Sequence, residues 1–392
     1  MSPQKTCPEC GTAITPNQLI CPGCGTELQI EEDDLPSIPG LGSISSPELK
    51  IDFQTVSSLD LDSIAPDAIL TPGLDTLDAG KLALSSLAGK TNLAGQPYKV
   101  LQVIGKVDED QPELRMPFGI APLPGGDFYL INYYNEDGCA QVQRFNPFGV
   151  LQAVVRQFTV EDGADAPGIP AGFCADVAGS FYIVDMDTCS VKKYAPDGAL
   201  LAEFGEEGEA LGQLSEPDDI AASQDGCIYI ADAGNNRIQK WDAQGQPQQA
   251  IPLIQEDEVD QAPESTDEPG GFDGPQSIAL DRQGNLWVAD TNNHRLQQFD
   301  PEGKLLAVFG EEGKEAGQLY FPRRVRIDGT GNLYITDAVE DRFQKFDPSG
   351  RFIYQVALPR GSGKVEDLYI DGDERVWVVL RSSGLVLRLA IE

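Results

Sequence analysis

The sequence predicts an all-β fold, a six-bladed β-propeller. Three observations carry this. A strand–loop–strand phrase returns in register: "IYIADAGNNRIQKWDAQGQ" from Ile228, "LWVADTNNHRLQQFDPEGK" from Leu286 and "LYITDAVEDRFQKFDPSGR" from Leu333. Its Asp positions, 185, 232, 290 and 337, lie 47, 58 and 47 residues apart, the period of a four-stranded blade. Finally, 28 prolines and 41 glycines in 392 residues point to many turns rather than long helices.

Each unit opens on a proline and an apolar run: "PFGIA" at Pro117, "PAGFCAD" at Pro170, "PDDIAAS" at Pro217, "PQSIALD" at Pro275 and "PRRVRID" at Pro322. A glycine turn leads to a second run ending near the Asp. The third strand ("IQKWDAQG", "LQQFDPEG", "FQKFDPSG") closes on a turn that opens a fourth, such as "ALLAEFG" or "KLLAVFG". Five units carry this last turn, with Gly149, Gly198, Gly245, Gly303 and Gly350. A sixth, "VEDLYIDGDERVWVVLRSSGLVLRLAIE", supplies three strands. Its outer strand is expected at Tyr98–Gly105, because "YKVLQVIG" matches "GKLLAVFG". Gly105 also precedes its proline by 12 residues, as Gly205 and Gly310 do. Closing the ring this way removes an open sheet edge.

Two segments precede the propeller, which is assigned to 96–392. Residues 1–29 hold Cys7, Cys10, Cys21 and Cys24, two CxxC pairs each followed by glycine. Glycine permits the tight turn that lets two thiolates reach one ion, and four thiolates form a closed tetrahedral site suited to a single structural Zn2+. The segment resembles the zinc ribbon family with its CPxCG knuckles. Residues 30–95 are rich in Ser, Pro, Gly, Asp and Leu with one aromatic, Phe53, and read as a disordered acidic linker.

The charge bounds the function. Asp and Glu number 63 against 28 Lys and Arg, a net −35. The surface repels phosphate backbones, so nucleic acid is not the expected partner. No run of 18 apolar residues suits a membrane span, and the N-terminus lacks a secretory pattern; both point to a cytoplasmic location.

The phrase "ADxxNxRI" resembles the NHL repeat, whose members build six-bladed propellers. The residues carrying the match are Asp232, Asn236 and Arg237; Asp290, Asn293 and Arg295; and Asp337 with Arg342. The resemblance weakens where Ser190 replaces the Arg and where Asn132 and Leu380 replace the Asp. An Asp at a strand end and an Arg five residues on can form a charge-assisted pair that ties a loop between blades. Three copies of one constellation suit a structural role better than a catalytic one.

Residues where the inner strands begin vary from blade to blade, as a binding site would: Phe118, Asp218, Asp219, Gln276, Ser277, Arg323, Arg324, Glu366 and Asp367. Arg323 and Arg324 either grip a carboxylate or acidic peptide, or neutralise neighbouring acids. The insertion 255–271 is expected to be a mobile acidic loop on the same face. His294, the one histidine, reads as a surface residue, and Cys139, Cys174, Cys189 and Cys227 as small buried hydrophobes. Propeller lyases of NHL likeness use several histidines, which this chain lacks. Lactonase-like propellers hold a divalent cation with inward carboxylates, and Asp218, Asp219, Glu366 and Asp367 leave that open. The resemblance to ligase-linked NHL proteins does not extend to a RING, which needs eight ligands. The favoured reading is a non-catalytic scaffold whose channel face binds a protein or peptide. The alternative is a metal-dependent lactonase or hydrolase.

Overall fold

A computed structural model describes residues 98–105, 114–134, 139–159, 168–252, 262–337, 342–358 and 362–391. The four amino-terminal cysteines and the 30–95 segment lie outside these residues. Strand β1 (Tyr98–Ile104) is followed by blade 1, made of β2 (Met116–Pro122), β3 (Phe128–Tyr134), β4 (Cys139–Phe145) and β5 (Leu151–Phe158). Blade 2 comprises β6 (Pro170–Ala175), β7 (Phe181–Asp185), β8 (Ser190–Tyr194) and β9 (Leu200–Phe204). Blade 3 comprises β10 (Pro217–Ala222), β11 (Ile228–Asp232), β12 (Arg237–Trp241) and β13 (Pro247–Ile251). In blade 4 these are β14 (Pro275–Leu280), β15 (Leu286–Asp290), β16 (Arg295–Phe299) and β17 (Leu305–Phe309). Blade 5 has β18 (Pro322–Ile327), β19 (Leu333–Asp337), β20 (Arg342–Phe346) and β21 (Phe352–Ala357). Blade 6 has β22 (Val365–Ile370), β23 (Val376–Leu380) and β24 (Leu385–Ile391).

Every sheet is an antiparallel meander, and the sixth has the order β1-β24-β23-β22. Tyr98 pairs with Ile391 and Ile104 with Val386, so the chain's first described strand completes the last blade. The six-bladed ring and its closure are those the sequence predicts.

Up to its closing Asp, Asn or Leu, the second strand of each blade is a largely apolar run because both of its faces are covered. In β11 all five residues are buried. Ile228 and Ile230 pack toward blade 2 with Val184 and Val191, whereas Tyr229 and Ala231 pack toward blade 4 with Ile278 and Val288. The same alternation builds a cluster at every interface. Between blades 6 and 1, Trp377, Val379 and Val386 meet Ile120, Phe128 and Phe145. Outer strands such as β9 and β17 alternate between exposed and half-buried positions, as edges do. Inner strands neighbour one another around the channel, each beside the next.

Hairpin turns between strands reuse one device. Asp242 Oδ1 accepts the backbone N–H groups of Gln244 and Gln246 at 2.9 Å, and Asp300 and Asp347 do the same in blades 4 and 5. Gly245 closes the first of these turns at φ 77°, and a Cβ there would meet the Phe204 ring at 2.7 Å. Asp328 caps the β18–β19 turn more elaborately. Its carboxylate accepts from Thr330, Asn332 and Tyr334, with Lys345 Nζ at 3.4 Å. Burial raises its pKa, but hydrogen bonds from Asn332 and Thr330 outweigh burial and hold it below the ordinary value.

A carboxylate with a lowered folded-state pKa contributes stability above its unfolded value, about 3.9, that is lost as pH falls through the folded one. Asp328→Asn is therefore expected to flatten the acid limb of the stability profile below about pH 4, read as urea midpoints. An unchanged slope would show that Asp328 contributes nothing to it.

Candidate functional site

Two sets of polar residues are brought together, one repeated around the rim of the face where the inner strands begin, one in the channel itself. At the rim, Asp232 ends β11 and faces Arg237, the first residue of β12, across the hairpin. Arg237 Nε donates to Asp232 Oδ2 at 2.7 Å, and its Nη2 donates to the carbonyls of Ala210 and Gln213. Asp232 also accepts from Ser215 N, Asn235 Nδ2 and Gln239 Nε2. Loop 206–215, which leads into blade 3, is thus fastened to a fully buried ion pair. Asp290, Asn293, Arg295 and Gln297 repeat this in blade 4, and Asp337, Arg342 and Gln344 in blade 5.

One correction to the motif follows. The asparagine that meets Asp232 is Asn235, three residues on, as Asn293 is from Asp290. Asn236 sits at φ 49° and its Oδ1 accepts from Gly274 N, in the loop leading into the next blade. His294 occupies the same position in blade 4, at φ 54°. Its Nδ1 accepts from Phe321 N at 3.0 Å while its ring stacks on Tyr320. The histidine is therefore a blade-to-blade latch rather than a free surface group. Cys189 takes the same left-handed position in blade 2, and its thiol accepts from the backbone of Glu216.

Where the repeat departs from its pattern, the charge balance is kept. In blade 2, with Ser190 opposite Asp185, the cation arrives two residues later as Lys192, with Nζ 3.0 Å from Asp185. Blade 1 is neutral: Asn132 faces Gln141 and its Oδ1 accepts from Arg115 and Met116. Blade 6 is apolar, with Leu380 facing Leu385. A buried ion pair is replaceable only when both partners change together.

The insertion at 255–271 is held in part. Residues 253–261 lie outside the described residues, but Arg295 donates to the carbonyls of Asp267, Glu268 and Gly271, and Asn293 to that of Thr266. Its second half is therefore pinned, contrary to the expectation of a mobile loop.

In the channel, Arg324 is 2% exposed and crosses the ring. From blade 5 its Nη1 reaches Asp218 Oδ1 at 2.8 Å in blade 3 and Gln276 O at 3.1 Å in blade 4, and its Nη2 reaches Ala171 O at 3.0 Å in blade 2. It is not available to grip a peptide. Arg323, a quarter exposed, is spent on Glu366, at 3.0 and 3.3 Å. Arg326, which the sequence reading did not single out, bridges Asp219 at 3.1 Å and Asp367 at 2.8 Å. Ser277 Oγ donates to Asp219 at 2.6 Å, and Phe118 lies beneath Arg324 and Arg381. The alternation of Arg324 and Arg326 along one strand is the signal that was available for Arg326.

Burial raises Asp219, but Arg326 and Arg324 outweigh it and leave its pKa below the ordinary value. For Asp218 and Asp367, burial dominates and the net shift is upward. The four carboxylates thus face arginines rather than one another. Among the described residues, no three His, Cys, Asp or Glu side chains gather as a cation site would require. Cys189 is buried, and Cys174 and Cys227 are half-buried against the clusters between blades 2 and 3 and between blades 3 and 4, so the buried-hydrophobe reading holds in full for the first and in part for the other two. The side chain of Cys139 lies outside the described residues.

The sequence pattern of the NHL repeat matches residues 214–241 and 272–299, the tied loops and first three strands of blades 3 and 4. The chain carries NHL repeats on a six-bladed propeller. It is 48% identical over 52 residues to the Protein brain tumor of Drosophila melanogaster, a match covering 13% of this chain and 5% of that one. A probable peptidyl-alpha-hydroxyglycine alpha-amidating lyase of Caenorhabditis elegans is 30% identical over 145 residues, covering 36% and 39%. Human NHL repeat-containing protein 3 is 34% identical over 137 residues, covering 32% and 36%. The chain therefore spans well under half the length of these relatives. Among solved structures, a virginiamycin B lyase from Staphylococcus aureus aligns at 14% identity and a TM-score of 0.49, over 75% of this chain and 100% of that one.

The rim pair makes a direct prediction. Arg237→Leu leaves Asp232 buried and uncompensated and is expected to cost about 3–5 kcal/mol in chemical denaturation. Adding Asp232→Leu, which copies the Leu380–Leu385 pair of blade 6, should recover part of that loss. Strictly additive losses would contradict the exchange of both partners as a unit.

Proposed function

We propose that the protein is a non-catalytic interaction protein, with the propeller face around the channel mouth binding a protein or peptide. The observation that carries this reading is the self-neutralised channel. Asp218, Asp219, Glu366 and Asp367 are each paired with an arginine, so none stands ready as base, nucleophile or cation ligand. His294 is committed to a backbone N–H, and burial pushes the Cys174 thiol up, away from the reactive thiolate. The lactonase-like alternative gains no support from this arrangement.

The face itself is built for contact. Its loops are held by the rim pairs, so binding costs little ordering of the backbone. They expose Glu206, Glu207, Glu209, Glu264, Asp267, Glu268, Glu311, Glu312 and Glu315. An acidic rim of this kind complements a partner with neutral or basic contact residues, and replaces the acidic peptide that Arg323 and Arg324 had suggested. The zinc ribbon at Cys7, Cys10, Cys21 and Cys24 enters as a second, structural or interaction head. Its CxxC spacing supports it.

Full-length protein used as bait is expected to retain a stoichiometric partner that the triple variant Glu311→Lys, Glu312→Lys, Glu315→Lys releases. Thermal unfolding should be indifferent to millimolar Ca2+ or Mn2+, and elemental analysis should find one zinc per chain. A concentration-dependent rise in Tm with either cation would favour the enzyme reading instead. Undiminished capture by the triple variant would move the partner off this face, and absent zinc would remove the ribbon.

A further inference from the structure

The inner strands run from the charged mouth to the opposite face, where their far ends line a cavity of about 230 Å3. All six blades line it: Ile120, Phe173, Ile220, Ile278, Ile327 and Leu368. Among the described residues, Arg326 is its one charged lining residue, with a side chain 19% exposed at the floor. Solvent reaches apolar surface here, since Cys174, Leu280, Ile327 and Ile370 are only part-buried. A concave, largely apolar site with one polar group at its base is the usual form of a small-molecule pocket.

Charge at the floor selects the ligand. The Arg326 guanidinium already lies between Asp219 and Asp367, at 3.1 and 2.8 Å. An anion entering the cavity would approach two buried carboxylates, and a cation would approach a guanidinium. Either would also lose hydration against apolar walls. A hydroxyl oxygen, which accepts a hydrogen bond without carrying charge, suits a floor whose charged group is a guanidinium. For size, a dry cavity of about 150 Å3 accommodates benzene. We propose that this funnel binds a small neutral apolar molecule bearing a hydroxyl group, with the bulk of about one aromatic ring. The proposal is independent of the partner face, which lies at the other end of the channel.

Phenol, benzoate and benzylammonium serve as probes on the full-length protein, read by NMR of isoleucine δ1 methyl groups. Phenol is expected to shift the methyls of Ile220, Ile327 and Ile370 saturably while leaving those of Ile183 and Ile251 in place. Benzoate and benzylammonium should bind at least tenfold more weakly. Ala175→Trp and Ala222→Trp, each placed at the funnel rim, should abolish the phenol shift while keeping the remote methyl spectrum. Two variants are used so that one survives if the other misfolds. No saturable phenol shift, or one that persists in a folded rim variant, would overturn the site. Benzoate or benzylammonium binding as tightly as phenol would overturn the assigned ligand class.

Discussion

The innermost strand of every blade has one edge with no neighbouring strand, and a ring of six such edges faces a narrow channel. Buried backbone N–H and C=O groups must find partners. Here charged side chains supply them. Arg324 donates to the carbonyls of Ala171, Asp218 and Gln276, and Arg326 to that of Val325. Asp367 accepts from Ile120 N, Asp219 from Ile278 N, and Ser277 Oγ from Val325 N. All six blades take part. The channel charges are thus the hydrogen-bond partners of the inner edges, and they require one another's opposite sign because they are buried.

The proposed function starts from this constraint. The charge network that satisfies the backbone also pairs each mouth carboxylate with an arginine. What remains free is the loop surface above it, fastened by the rim pairs and strongly acidic, and the apolar funnel below. Rim and channel act at different radii. Asp232 and Arg237 tie each lead-in loop to its own blade, whereas Arg324 and Arg326 tie the blades across the axis.

Much of this was legible in the sequence, because the repeated units write the same physical demands several times. Two-sided burial makes the second strands largely apolar up to their closing residue, and the offset of Tyr98–Ile104 follows from one missing outer strand. The site was less legible. Asn235 and Asn236 are adjacent and chemically identical, and only backbone geometry separates the one that meets Asp232 from the one that latches the next blade. Lys192 compensates Asp185 across a strand pairing, not at the motif's spacing. Arg324 looked like a binding residue because a cation stands out in an acidic chain. That its partners lie one, two and three blades away, at Gln276, Asp218 and Ala171, is a property of the ring that no local pattern records.

The most direct test of the central claim is hydrogen exchange on Arg324→Leu beside Arg323→Leu. Arg324 is buried and bridges four blades, so its loss should lower stability by about 3–5 kcal/mol, against about 1 for part-exposed Arg323. Amides of β6, β10 and β14 should lose protection together with those of β18. Wild-type stability in Arg324→Leu, or lost protection confined to β18, would contradict the claim that the channel network holds the ring closed.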